Sequence, residues 1–254
     1  MAPGEPLMCL LLLALCCGTS HQAYMKPPSR RDPEFIQKCV NDHNRARAQV
    51  SPSASNMRHM TWDPALATVA QAWADQCAFG HNPDIKTPNK VHPTFATVGE
   101  NIWLGSSHSQ ISPVQLWVAE DKHYNYESNT CSAICGHYTQ VNWAETYKVG
   151  CAAQFCPQVT NYPGASDLII LVCNYGPAGN YPRKPYSAGQ PCSQCSRGDK
   201  CRGALCVNAE RDGVEGHDAP GSGAGAALPQ SGACFALRDL ALLCACAHAL
   251  NGAL

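Results

Sequence analysis

Cysteine usage limits this chain more than any other feature of it. Seventeen of the 254 residues are cysteine, a density that a reducing cytosol would hold as reactive thiols and that an oxidising compartment converts into cross-links. A fold stapled by disulfides is therefore expected. The N-terminus agrees with that compartment. Residues 8–17 (MCLLLLALCC) are an uninterrupted apolar run too short to span a bilayer, and Gly18, Thr19 and Ser20 follow as small residues suited to cleavage. Residues 1–20 read as a signal peptide. The formal charge of −1 leaves no single-sign field to hold a polyphosphate, so nucleic acid is not an expected partner.

Between the ends, three segments open with a side-chain acceptor followed by proline: Asp32-Pro33, Asp63-Pro64 and Ser112-Pro113. The acceptor satisfies a first-turn N–H and the proline presets φ, which together start a helix. After the first pair, Ile36, Cys39, Val40, His43 and Val50 trace one face of a helix of about four turns, pointing His43 inward as a hydrogen-bonded core residue. After the second, Leu66, Val69, Ala70, Trp73 and Cys77 recur at helical spacing, and Gly80 is placed for a left-handed cap. After the third, Trp117, Glu120 and Tyr124 share a face at spacings of three and four. A carboxylate on that aromatic side is costly unless paired, so Glu120 requires a partner. Residues 147–155 and 168–174 are apolar, partly β-branched and bracketed by Gly, Pro and Asn, as strands are. Helices first and strands later imply a layered α+β domain.

From about residue 175 the texture turns Gly/Pro-rich, and Cys192, Cys195, Cys201 and Cys206 follow as a small appended module. A zinc ribbon is the competing reading of those four, disfavoured by an oxidising compartment. Residues 208–232 read as a linker and residues 233–254 as a mostly apolar tail. Small residues at Gly221, Ser222 and Gly223, a spacer of roughly ten residues and a hydrophobic terminus have the grammar of a GPI-anchor signal. Arg238 and Asp239 interrupt the tail, which argues against a transmembrane anchor. Eleven cysteines remain between the two processed ends, and spacing alone cannot assign their partners.

Residues 136–143 (GHYTQVNW) and 171–181 (LVCNYGPAGNY) resemble the two signature stretches of the CAP superfamily of cysteine-rich secretory, antigen 5 and pathogenesis-related 1 proteins. Residues 43–47 (HNRAR), 62–66 (WDPAL), 99–103 (GENIW) and 142–150 support the match, which is closest in look to the glioma pathogenesis-related group. Asn142 departs from it, standing where relatives usually carry an aliphatic residue. The resemblance implies a three-layer α-β-α sandwich with a central antiparallel sheet over residues 32–182, and a disulfide-rich hinge over 183–207. It also implies a cleft holding His81, Glu100, Glu120 and His137. The pairings it implies are Cys77 with Cys156, Cys131 with Cys135, Cys151 with Cys173, Cys192 with Cys201 and Cys195 with Cys206. Cys39 is left over, and its place on an apolar helix face makes it a buried inert thiol.

Two imidazoles meeting at one point can hold Zn²⁺, with Glu100 and Glu120 fixing ring orientation. A mutually satisfied polar network is the equal alternative, because a third strong ligand is missing. Neither a His-Glu-x-x-His helix nor a Gly-x-Ser-x-Gly elbow occurs, so a non-enzymatic protein is expected. The resemblance points to recognition of a cell-surface protein or membrane component at the sperm surface, with sterol or lipid carriage as the alternative and metal-dependent hydrolysis behind it. Arg197, Gly198 and Asp199 form a tripeptide of the kind integrins read, on a loop pinned by Cys195 and Cys201. Treating expressing cells with phosphatidylinositol-specific phospholipase is expected to release the protein; a mature chain that still ends in Leu254 would remove the anchor.

Overall fold

The computed structural model describes residues 26–106 and 112–213. The expected signal peptide, the tail and residues 214–232 of the linker lie outside them, whereas residues 208–213, read as the start of the linker, are described and carry a short helix with its cap. The described residues belong to one compact unit. Helix α1 (Pro33–Ala48) starts where the Asp32 carboxylate accepts the Glu34 N–H at 2.9 Å. Helix α2 (Pro64–Ala74) starts where Asp63 accepts the N–H groups of Ala65 and Leu66. Helix α3 (Pro113–Val118) departs from that scheme. The Ser112 hydroxyl does not cap it but donates to the Asp42 carboxylate at 2.8 Å, tying α3 to α1.

Four strands form the central sheet: β1 (Thr61–Trp62), β2 (Gly99–Ser106), β5 (Lys148–Gln158) and β6 (Ser166–Gly176), in the order β1-β5-β6-β2. The expected antiparallel pairing holds for β2–β6 and β5–β6, whereas the two-residue edge strand β1 runs parallel to β5. Strand alternation divides the core. Val149, Cys151, Ala153, Leu171, Cys173 and Tyr175 pack with Cys39, Val40, Val114, Trp117 and Val141 from α1, α3 and helix α4 (Gly136–Val141). On the opposite face Ala152, Cys156, Ile170, Val172 and Ile102 pack against Ala70 and Ala74 of α2. This is the three-layer arrangement. Gly150 is obligatory for it, because a Cβ there would stand 2.1 Å from the Ala67 nitrogen of α2.

All five implied disulfides are formed, and Cys39 is a buried free thiol whose pKa burial pushes up to about 12. A thiol so held is unreactive. Strands β7 (Lys200–Arg202) and β8 (Leu205–Val207) and the short helix α5 (Ala209–Asp212) form the hinge. The hinge does not stand apart from the domain. Leu205 is buried against Ala54, Met57, Ala144 and Tyr186, and Cys206 exchanges backbone hydrogen bonds with Met57 and His59.

Three sequence expectations are corrected. Gly80 does not supply the left-handed residue after α2; Cys77 does, at φ 49°, with its sulfur fixed in the bond to Cys156. Tyr124 does not continue the helical face of Trp117 and Glu120. After Val118 the chain tightens into a 3₁₀ turn (Ala119–His123), and Tyr124 begins strand β3 (Tyr124–Asn125), which pairs with β4 (Thr130–Cys131). Asn142, whose departure from the family pattern puts local strand packing in question, lies in no strand: it closes α4, where its side-chain N–H donates to the Tyr138 carbonyl at 3.0 Å.

His43 is fully buried, as expected. Its Nδ1 lies 2.7 Å from the Cys39 carbonyl, which can only accept, so Nδ1 carries the proton and Nε2 accepts from the Tyr175 hydroxyl at 2.9 Å. Burial lowers its pKa from 6.5 to about 4. The unfolded chain therefore binds a proton that the folded one rejects between those values. Stability is complete above pH 6.5 and is lost as the pH falls toward 4, by about 3 kcal/mol from this residue. Denaturant titrations across that window are expected to show the loss in the wild type and a flatter dependence in His43→Gln; parallel curves would refute the assignment.

Candidate functional site

The four residues that the resemblance places in a cleft form two imidazole–carboxylate dyads. Glu100 lies on β2, and its side chain is wholly buried. Its Oε1 sits 3.0 Å from His81 Nδ1 and accepts the Asn82 N–H at 2.9 Å. His81 precedes a 3₁₀ turn (Pro83–Lys86), and its side chain is 61% exposed. The second dyad joins Glu120 to His137, with Oε1 2.6 Å from Nδ1. The other Glu120 oxygen accepts the backbone N–H groups of His137 and Tyr138 at 3.1 and 3.3 Å. Those are first-turn donors of α4, which has no side-chain cap of its own. The carboxylate caps the helix that carries its imidazole partner, where the helix dipole also favours a negative charge. Glu120 thus has the partner its sequence position demanded.

Carboxylates accept and do not donate, so both Nδ1 atoms carry protons, and in the neutral ring the lone pair is then on Nε2. Trp117 stacks on the His137 ring at 6.1 Å between centroids and 16° between planes, limiting its rotation. Asn101, next to Glu100 on β2, donates its amide N–H to the His137 carbonyl at 3.1 Å and to the Tyr175 hydroxyl at 3.2 Å. One strand therefore supplies the acid of the first dyad and a backbone anchor for the second. The anchor continues inward from Tyr175 to His43 and Cys39. Asn101 and Tyr175 were not singled out from sequence, although both stand in matched stretches.

A carboxylate on Nδ1 with Nε2 left open is the arrangement found around zinc-bound histidines, where the acid fixes the tautomer and raises ligand basicity. His81 and His137 fit a borderline divalent ion by donor chemistry, with Glu100 and Glu120 behind them. The hinge offers a different grouping, in which ligand atoms of Cys195, Asp199 and Cys206 lie within 4.8 Å of one another. Its two sulfurs are bonded to each other, so neither is a thiolate, and the grouping lacks the donors a metal needs.

Asp199 corrects a further sequence reading. Arg197 and Gly198 are exposed, but the Asp199 side chain is 1% exposed. Its carboxylate takes two bonds from Arg211, at 2.9 and 3.0 Å, and one from Asn208 at 3.1 Å. Burial pushes its pKa up, and those hydrogen bonds outweigh burial and hold it below the ordinary carboxylate value. Arg211 also binds Asp212 and lies over the Tyr147 ring. The carboxylate an integrin would need is thus spent within the hinge, on Arg211 and Asn208.

Fold and site together define the class: a disulfide-tied α-β-α sandwich carrying two imidazole–carboxylate dyads. The CAP family, described as the cysteine-rich secretory protein family, matches residues 40–175, and the chain belongs to it. It is 47% identical to glioma pathogenesis-related protein 1 of Mus musculus over 189 residues, 74% of this chain and 70% of that protein. It is 47% identical to GLIPR1-like protein 1 of Bos taurus over 206 residues, 80% of this chain and 83% of that one. The crystal structure of NaASP2 with Zn²⁺ superimposes with a TM-score of 0.50 at 26% identity, over 69% of this chain and 96% of that one. Among the described residues no helix is long and apolar enough to cross a membrane.

Asp199→Ala is expected to raise hydrogen exchange across residues 200–213 and to leave integrin-dependent cell adhesion unchanged. Loss of adhesion with a protected hinge would reverse the assignment.

Proposed function

We propose that the protein is a secreted, non-enzymatic recognition module, held at the cell surface by a GPI anchor, that binds a cell-surface partner during gamete interaction. Its His81 and His137 dyads form a divalent-metal site at the recognition face. The observation that carries the site is the shared use of Nδ1 for a carboxylate, which leaves Nε2 of each neutral ring as the nitrogen available to a metal. The zinc in the NaASP2 crystal structure supports the choice of metal. Five disulfides support an extracellular setting, and likeness to the glioma pathogenesis-related proteins supports the biological one.

The test is a calorimetric titration of Zn²⁺ into the secreted protein, its Glu100→Gln and Glu120→Gln variants, and His81→Ala combined with His137→Ala. Binding is expected in the wild type, about 10- to 100-fold weaker in the glutamine variants and lost in the double variant. Equal affinity in all four would sink the metal site. A histidine-dependent esterase or protease activity would overturn the non-enzymatic reading.

A further inference from the structure

Three buried polar atoms on the α2 side of the sheet have no hydrogen-bond partner among the described residues: Oε2 of Glu100, and both Oδ1 and Nδ2 of Asn174. Asn174 is fully buried, as is the Glu100 side chain. They occupy directly opposed positions of β2 and β6, so their side chains stand on one face with Cβ atoms about 5 Å apart. They make no hydrogen bond to each other. On the far side of Asn174 the register places Gly150, which has no side chain to offer, and the first turn of α2 fills the space above it. Bare groups of this kind in a protein interior are normally satisfied by an ordered water.

We infer that at least one buried water bridges Oε2 of Glu100 to the Asn174 side chain, making Asn174 a positioning residue of the His81 dyad. The carboxylate can only accept, so the bridge must bring a donor, and water does. Oε1 of Glu100 is already held by His81 Nδ1 and the Asn82 N–H. Fixing Oε2 from Asn174 stops the carboxylate from turning about its own axis. The line of control runs from Asn174 through water and Glu100 to Nδ1 of His81, and so to the lone pair on Nε2. The water does not depend on the metal reading; its effect on zinc affinity does.

A crystal structure of the secreted protein at about 1.5 Å is expected to show a water about 2.6–3.2 Å from both Glu100 Oε2 and the Asn174 amide. A direct Glu100–Asn174 hydrogen bond, a dry gap, or an ion with short contacts to four or more oxygens would each overturn the bridge. In near-isosteric Asn174→Leu, nitrogen NMR of the histidine rings is expected to show loss of the Nδ1–H tautomer at His81 with His137 unchanged. Zinc affinity should fall about tenfold. Asn174→Ser keeps a hydroxyl and leaves room for a further water; it is expected to restore the His81 tautomer, and it serves as the reference should the leucine variant not be secreted. An unchanged His81 tautomer in folded Asn174→Leu, or failure of Asn174→Ser to match the wild type, removes the positioning role. If the wild type binds no zinc, the metal reading fails, and the water and the tautomer still decide this inference.

Discussion

The guanidinium of Arg47 reaches from α1 to five main-chain carbonyls, those of Arg58, Val141, Trp143, Ala144 and Thr146. They belong to the loop before β1, the end of α4 and the connection into β5. The carbonyls of Trp143 and Ala144 also accept backbone N–H groups, from Thr146 and Arg58; for the others a buried carbonyl left alone would cost about 1–3 kcal/mol. A single fully buried cation satisfies them together. Burial lowers its pKa to about 9, still above neutrality, so it remains charged. The cost of burying that charge is offset only because all of its directions are occupied, which makes the position intolerant of a shorter or flatter donor set.

The geometry of the site follows from that fixed point. Arg47 holds the C-terminal end of α4, Glu120 caps its N-terminal end, and Asn101 holds the carbonyl of His137 between them. A helix of only six residues has little stability of its own. Held at both ends, it carries an imidazole whose ring is set by a carboxylate on one edge and an indole on one face. The Glu100 dyad is anchored differently. Its acid lies on β2, an edge strand of the sheet, with its side chain wholly buried, and its histidine lies on a surface loop, so the rigid partner is the carboxylate and the exposed partner is the ring. Two similar dyads are thus built on unequal supports, which is why Asn174 bears on one of them and not on the other.

Helix starts at Asp32 and Asp63 were legible because a cap is a local bond between neighbours in sequence. Ser112 shows the limit of that signal, since its hydroxyl found Asp42, seventy residues earlier, in preference to its own helix. Trp117 and Glu120 were correctly placed toward the interior, but Tyr124 was not, because Glu120 is drawn to the first turn of α4 and the chain tightens to 3₁₀ in reaching it. Asp199 was misjudged for a related reason. Three residues of motif contain no information about Arg211, and a long-range ion pair turned the carboxylate inward.

The sequence by itself determined that the fold is disulfide-bonded, through cysteine density, and the layered class, through helix caps followed by β-branched runs. Its matched stretches also pointed to the four residues that the structure joins into two imidazole–carboxylate dyads. Only the tertiary structure decided that Glu100 serves His81 and Glu120 serves His137, and that Nδ1 is the atom used in both. It alone brought Asn101, Tyr175 and Asn174 to the site. Those choices depend on strand register and on where a short helix is held, and hydrogen-bond reach of about 3 Å is settled only when distant segments are packed together.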